Sequence, residues 1–125
     1  MKIEHVGLWV NNLEEMKAFY TKYFDVTSTE LYHNPKTGFR SYFLNFEDGA
    51  RLEIQHKEGL AAANNLAFGF AHLAIKVGEV ADVDRMATQF INDGFEILNG
   101  PRWTGDGYYE AVVSDPEGNL LELTV

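Results

Sequence analysis

The sequence predicts an α+β fold built from two copies of a βαβββ module, and three observations carry this prediction. Shifting the chain by 67 residues aligns segment 3–10 with segment 70–77, and each segment has a histidine at its third position. Apolar residues at helical spacing follow both segments. Both halves close on a strand-like pattern with a glutamate between apolar neighbours, Leu52-Glu53-Ile54 and Leu121-Glu122-Leu123.

The first half begins with an alternating segment that is typical of a half-buried strand. Asn12 then favours a helix start, because Glu15 follows three residues later as in a capping box. Glu47-Asp48-Gly49 is typical of a hairpin turn between two strands. The predicted elements are a strand over 2–10, a helix from Asn12 to about Phe24, a turn over 33–38, and strands at about 40–46 and 50–56.

The second half repeats this order. Gly94 favours the end of a helix, and the segment 115–119, Asp-Pro-Glu-Gly-Asn, predicts a tight turn. The predicted elements are a strand at about 70–77, a helix at about 80–93, and strands near 95–98, 108–114 and 119–125. We therefore expect one domain over residues 1–125, with modules at about 1–56 and 70–125 and a linker over 57–69.

Strand alternation predicts which sheet face each polar residue occupies. The apolar residues of the first strand would pack on the first helix, so His5 would point to the opposite face. The same parity turns His72 away from the second helix. Glu53 and Glu122 alternate with apolar neighbours in the last strand of each half. All four polar residues can thus lie on the concave side of a curved sheet.

Composition excludes several classes of function. The chain has 125 residues, enough for one compact core, and no cysteine, which excludes disulfides, thiolate zinc sites and a cysteine nucleophile. A net charge of −9 with only ten scattered Lys and Arg residues argues against a nucleic-acid partner. No apolar run approaches the ~20 residues of a membrane span. These features predict a cytoplasmic protein with neither a nucleic-acid nor a membrane partner.

The motifs closely resemble the vicinal oxygen chelate superfamily, the glyoxalase/bleomycin-resistance/dioxygenase group, over essentially the whole chain. The matching segments are 5–10 (HVGLWV), 18–20 (AFY), 69–75 (GFAHLAI) and 115–123 (DPEGNLLEL), of which the last is the most specific. The resemblance implies paired βαβββ modules that form a curved eight-stranded sheet around a divalent metal. It also implies a homodimer, in which modules either pair within one chain or exchange between chains.

Within the superfamily, the His/Glu/His/Glu set is similar to that of glyoxalase I, the lactoylglutathione lyase. This similarity implies that His5, Glu53, His72 and Glu122 bind one divalent ion, which could be Zn, Ni, Co, Mn or Fe. Such a site suits proton abstraction next to a carbonyl, with the metal stabilising the resulting enediolate as a Lewis acid. Glu122 is then the first candidate for the base and Glu53 the second.

Substrate recognition is less strongly indicated. Trp9 and Phe43 have the parity to line the site, and Arg102 and Trp103 belong to a segment, 99–109, that is either a substrate flap or an ordinary surface loop. Glutathione-dependent glyoxalases have an arginine where this chain has Trp9, which argues against glutathione as the thiol. Two alternatives stay open: a non-catalytic binding protein of the antibiotic-binding type, and a thiol transferase of the fosfomycin-resistance type.

Overall fold

The computed structural model describes residues 1–61 and 68–125, which fall into two compact units, Met1–Ala62 and Ala63–Val125. Part of the predicted linker 57–69, residues 62–67, lies outside the described residues. The first unit contains β1 (His5–Trp9), α1 (Leu13–Tyr23), β2 (Thr27–Ser28), β3 (Tyr32–His33), β4 (Arg40–Asn45) and β5 (Arg51–His56). The second contains β6 (Leu73–Lys76), α2 (Val80–Asn92), β7 (Ile97–Trp103), β8 (Tyr109–Ser114) and β9 (Leu120–Thr124).

In the first unit, helix α1 packs on one face of a mixed sheet. The strand order is β1-β5-β4-β2, β3 also pairs with β4, and β1 runs parallel to β5. Asn12 caps α1 by accepting a hydrogen bond from the Glu15 amide, as the capping box predicts. The core lies between helix and sheet, and its most buried apolar and aromatic members are Val10, Met16, Tyr20, Leu44 and Ile54.

The second unit has the same plan. Its strand order is β6-β9-β8-β7, with β6 parallel to β9, and α2 packs on one face. The buried core consists of Val83, Met86, Ala87, Phe90, Ala111, Val113, Leu121 and Leu123. Both units are thus α+β modules of the predicted βαβββ type, and in both the helix covers only one side of the sheet.

The structure differs from the sequence prediction at two strands. Among the described residues the strands number nine rather than eight, because residues 29–31 separate two short strands, β2 and β3, that both pair with β4. The Thr29 hydroxyl accepts a hydrogen bond from the Phe43 amide at 3.0 Å, which replaces a ladder partner there. Strand β7 continues to Trp103, beyond the predicted end near 98, so half of the predicted flap is strand.

The extension of β7 passes through Gly100 and Pro101, residues that normally interrupt a strand. It is possible because β7 is an edge strand and its register with β8 shifts between Ile97 and Arg102. Gly100 has a φ of 79°, and a Cβ there would collide with the carbonyl oxygen of Glu110. This position therefore requires glycine.

Over the described ranges, 1–61 and 68–125, no helix is long and apolar enough to cross a membrane. The cytoplasmic location stays a prediction.

Candidate metal centre

The first His/Glu pair lies on the sheet face opposite α1. In the parallel β1–β5 ladder His5 is opposite Arg51 and Gly7 is opposite Glu53, so these side chains share one face, as the alternation predicts. His5 Nε2 lies 3.9 Å from Glu53 Oε2. The imidazole is 42% exposed and the carboxylate only 15%, so the histidine stands at the rim and the glutamate lies deeper.

The second pair repeats this arrangement more tightly. Glu122 is opposite Ala74 in the β6–β9 ladder, on the face away from α2. His72 Nε2 lies 3.3 Å from Glu122 Oε2, with the imidazole 42% and the carboxylate 21% exposed. In both units a small residue is opposite the glutamate: Gly7 is opposite Glu53 and Ala74 is opposite Glu122. The space above Gly7 is filled by the Gln55 amide, which a Cβ at that position would meet at 2.9 Å.

The chemistry and spacing of each pair fit a shared cation. An ionised carboxylate and the unprotonated nitrogen of a neutral imidazole are both electron-pair donors. Two donors that are each about 2.0–2.2 Å from one ion lie roughly 3–3.5 Å apart at right-angle to tetrahedral geometry. The 3.3 Å separation of His72 and Glu122 falls in this range, and that of His5 and Glu53 requires a shift of a few tenths of an ångström.

Each unit by itself supplies two such donors. Over residues 1–61 and 68–125, the structure brings together no group of three or more His, Cys, Asp or Glu side chains that could hold a metal ion.

His5 has two further polar neighbours, Glu4 and Arg51, and the residues at the matching positions near His72 are apolar. Its Nδ1 hydrogen-bonds to Glu4 Oε2, and the other oxygen of Glu4 pairs with Arg51. The hydrogen bond from His5 and the Arg51 guanidinium hold the pKa of the Glu4 carboxyl below its usual value. The Phe43 ring packs edge-on against the imidazole, with the ring centroids 5.4 Å apart.

Two of the predicted substrate-contacting residues, Trp9 and Phe43, lie on the same face as His5 and Glu53. Phe43 is directly opposite Glu53 in the β4–β5 ladder. Trp9 is half-exposed and packs against Phe39 at 6.1 Å, while the Lys57 ammonium lies 5.1 Å from the indole ring. This face therefore carries a polar pair at one end and an aromatic cluster at the other.

The other two predicted contacts, Arg102 and Trp103, alternate along β7. Arg102 is opposite Glu110, which places it on the face of Glu122, and its Nε donates to Asn99 Oδ1 at 2.9 Å. Trp103 is opposite Tyr109, with their rings 5.2 Å apart, and the Tyr109 hydroxyl donates to Asp84 of α2. Trp103 is therefore on the helix side of its sheet, away from Glu122.

Sequence reasoning missed Glu4 as a partner of His5. Alternation assigns consecutive residues to opposite faces, but β1 begins at His5, so Glu4 precedes the strand and is not bound by that rule. The register that brings Arg51 beside His5 could not be read from the sequence either. The one available signal was the acidic neighbour itself, since a carboxylate adjacent to a candidate ligand often orients it.

Comparison with known proteins agrees with this architecture. Residues 2–123 match the family model of the Glyoxalase/Bleomycin resistance protein/Dioxygenase superfamily. The chain belongs to this family. A curated relative, the uncharacterized protein YwbC of Bacillus subtilis (strain 168), is 23% identical over 98% of this chain and 95% of its own length.

Solved structures show that the fold is shared at low sequence identity. A glyoxylase/bleomycin resistance protein/dioxygenase domain from Frankia sp. EAN1pec has a TM-score of 0.84 at 16% identity, covering 100% of this chain and 97% of its own. The trypanothione-dependent glyoxalase I of Leishmania major has a TM-score of 0.80 at 21% identity, covering 99% of this chain and 86% of its own.

Proposed function

We propose that this family member is a metal-dependent lyase or isomerase of the glyoxalase I type, acting on a small α-oxo compound or its thiol adduct. His5, Glu53, His72 and Glu122 would bind one divalent metal, which is Zn, Ni, Co, Mn or Fe. The observation that carries the proposal is the repeated pairing of a histidine Nε2 with a glutamate oxygen on the helix-free face of each unit. The working form would be a homodimer.

When bound, the metal supplies Lewis-acid stabilisation of the negative charge that develops on the substrate oxygen. The protein must then supply a base within reach of the acidic C–H bond. By resemblance to glyoxalase I, Glu122 is the first candidate, and its carboxylate is 21% exposed beside His72 on the helix-free face. Glu53, in the matching position beside Gly7, is the second.

The remaining residues suggest how a substrate would be held. Trp9 and Phe43 offer ring surfaces on the face of the first pair. Arg102, on the face of Glu122, could bind an anionic group of the substrate. Its guanidinium would then have to turn away from Glu110, whose carboxylate is 3.5 Å away. The indole of Trp103 lies on the helix side of the sheet, beside Tyr109, and not on the face of Glu122. A substrate contact by Trp103 stays a prediction.

A second candidate function is non-catalytic binding of a planar ligand, and the aromatic cluster on the first unit favours it. Trp9, Phe39 and Tyr32 are joined by ring contacts of about 6 Å, and such ring faces can stack on a planar ligand. A binding protein of this kind needs these rings but not the His/Glu pairs. The two functions therefore differ in their requirement for metal.

The deciding experiment measures bound metal and turnover together. The purified protein is stripped, reloaded with each candidate metal, and assayed against a panel of α-ketoaldehyde–thiol adducts. We expect stoichiometric metal and turnover, and loss of both in His5→Ala and His72→Ala. His33→Ala, which removes an exposed histidine from β3, is the matched control and should behave like the parent. Tight binding of an aromatic ligand by a protein that takes up no metal would reject the enzyme in favour of the binding protein.

A further inference from the structure

An unbroken series of contacts surrounds His5 on the first unit. One oxygen of Glu4 bonds to His5 Nδ1, the other pairs with Arg51, and His5 Nε2 faces Glu53. In the β1–β5 ladder His5 is directly opposite Arg51, and Glu53 follows Arg51 two residues later on the same face. The imidazole is therefore held through one nitrogen while the other is directed to the proposed metal position.

The protonation of the ring follows from the chemistry of Glu4. An ionised carboxylate can only accept hydrogen bonds, so the neutral imidazole must carry its proton on Nδ1. Its Nε2 then has a free electron pair, which is the form that binds a cation. The adjacent Glu53 carboxylate is also an acceptor and cannot complete a hydrogen bond with this nitrogen.

Packing holds the same groups in place. The Arg51 guanidinium carbon lies 4.1 Å from the centre of the Phe43 ring, and that ring meets the His5 imidazole edge-on. Stacking on Phe43 restricts Arg51 to the side where Glu4 can reach it. Glu4 therefore has a fixed cationic partner, although its side chain is more than half exposed.

The second copy of the repeat lacks every one of these supporting residues. At the matching positions, Ala71 replaces Glu4, Leu120 replaces Arg51, and Val112 replaces Phe43. None of these replacements can accept a hydrogen bond from an imidazole or pair with a charge through its side chain. The orientation of His5 is thus built into the first half of this chain alone.

We propose that Glu4 and Arg51 are positioning residues that hold His5 in its Nδ1–H tautomer, with the Nε2 electron pair presented beside Glu53. The inference rests on the proposed function in one respect, which is that His5 is a metal ligand. Its structural content, the tautomer set by Glu4, exists in the metal-free protein and can be measured there.

The first measurement is nitrogen NMR of the histidine side chains in the metal-free protein at a pH where His5 is neutral. We expect His5 to be predominantly Nδ1–H in the parent and to shift towards Nε2–H in Glu4→Ala. Glu58→Ala is the matched control, because it removes an exposed carboxylate 3.9 Å from another histidine, His56. It should leave the His5 signals unchanged. An unchanged His5 tautomer in Glu4→Ala would overturn the proposal.

The second measurement is cobalt(II) affinity by competition with a chelator. Loss of such an orienting partner typically weakens metal binding by about 10- to 100-fold, and we expect this of Glu4→Ala. Glu4→Gln should lose less, because its amide oxygen still accepts from Nδ1, whereas Glu58→Ala should lose nothing. Equal affinity in the parent and Glu4→Ala would overturn the role of Glu4. A parent that binds no cobalt would reject the proposed function, while the tautomer measurement would still decide the positioning role.

Discussion

Glu122 and Glu53 occupy matching positions in the two units, yet the proposed reaction assigns the proton transfer to Glu122. Glu122→Gln keeps the shape of the side chain and removes its basicity. Because general-base catalysis contributes about 10²- to 10⁴-fold, we expect kcat to fall by that factor even at saturating metal. Steady-state kinetics with parallel metal analysis measures kcat and the bound metal.

Glu53→Gln is the matched comparison for this variant. It removes the equivalent charge from the first unit, where the carboxylate lies 3.9 Å from His5. We expect weaker metal binding with a smaller loss of kcat once the metal is restored. If Glu53→Gln loses most of its kcat and Glu122→Gln keeps it, the two glutamates have exchanged roles.

Trp9 determines how the protein should treat glutathione adducts. Glutathione-dependent glyoxalases have an arginine at this position, and an indole cannot form the charge-assisted contact, which is worth about 1.5–3 kcal/mol. We expect weak or absent turnover of the methylglyoxal–glutathione adduct by the metal-loaded parent. Trp9→Arg should raise kcat/KM for this adduct by roughly ten- to a hundredfold. Steady-state kinetics on the two proteins measures the change.

A general effect of added positive charge must be separated from this local one, because the chain carries a net charge of −9. Phe68→Arg adds the same charge at an exposed ring of the second unit, outside the predicted substrate contacts. We expect it to leave the kinetics with the glutathione adduct unchanged. Efficient turnover by the parent, with kcat/KM near ~10⁶ M⁻¹s⁻¹, would show that other residues recognise glutathione.

At the scale of elements, strand β7 depends on one glycine. Gly100→Ala would place a Cβ against the backbone of Glu110 at a φ of 79°, where side chains are strained. We expect a loss of about 1–3 kcal/mol in the free energy of unfolding, since β7 or β8 must shift. Urea denaturation measures it. Gly105→Ala is the matched control, because a Cβ there meets nothing within 4 Å and the backbone is unstrained. Equal stability of the two variants would contradict the strain.

The elements were predictable wherever local pattern and tertiary packing agree. Helix α1 begins after its predicted cap, and alternation in β1 and β5 assigned His5 and Glu53 to the helix-free face. The pattern failed in β7, where Gly100-Pro101 predicts a turn locally. There the register shift against β8 and the open edge accommodate both residues within a strand.

The candidate site was predictable only in part, for a related reason. The sheet face of a residue follows from alternation along its own strand, which is a local property of the sequence. Alternation therefore indicated the two His/Glu pairs. The partners of His5 depend on which residue of β5 lies beside β1, and no local pattern encodes that register. A loop over 99–109 gives Trp103 no defined sheet face. Once 97–103 is a strand, alternation separates Trp103 from Arg102.

At the scale of the whole molecule, a homodimer remains a prediction. Taken alone, each sheet has β1 or β6 at one edge, and exposed strand edges are normally covered by another element or another chain. Closed twofold dimers are the commonest way in which identical chains cover such surfaces. Sedimentation at micromolar concentration should give the mass of two chains, and a monomer under these conditions would reject the prediction.

The repeat makes it possible to test how the two halves cooperate in such a dimer. His5→Ala disables the first unit and His72→Ala disables the second, so each variant alone should lack metal and activity. If a site combines the first unit of one subunit with the second unit of the other, a heterodimer of the two variants has one site with all four ligands and one with only two. Co-production with different tags and purification of the heterodimer should then restore about half of the wild-type metal content and turnover. A heterodimer as inactive as its parents would show that both units of one chain serve the same site.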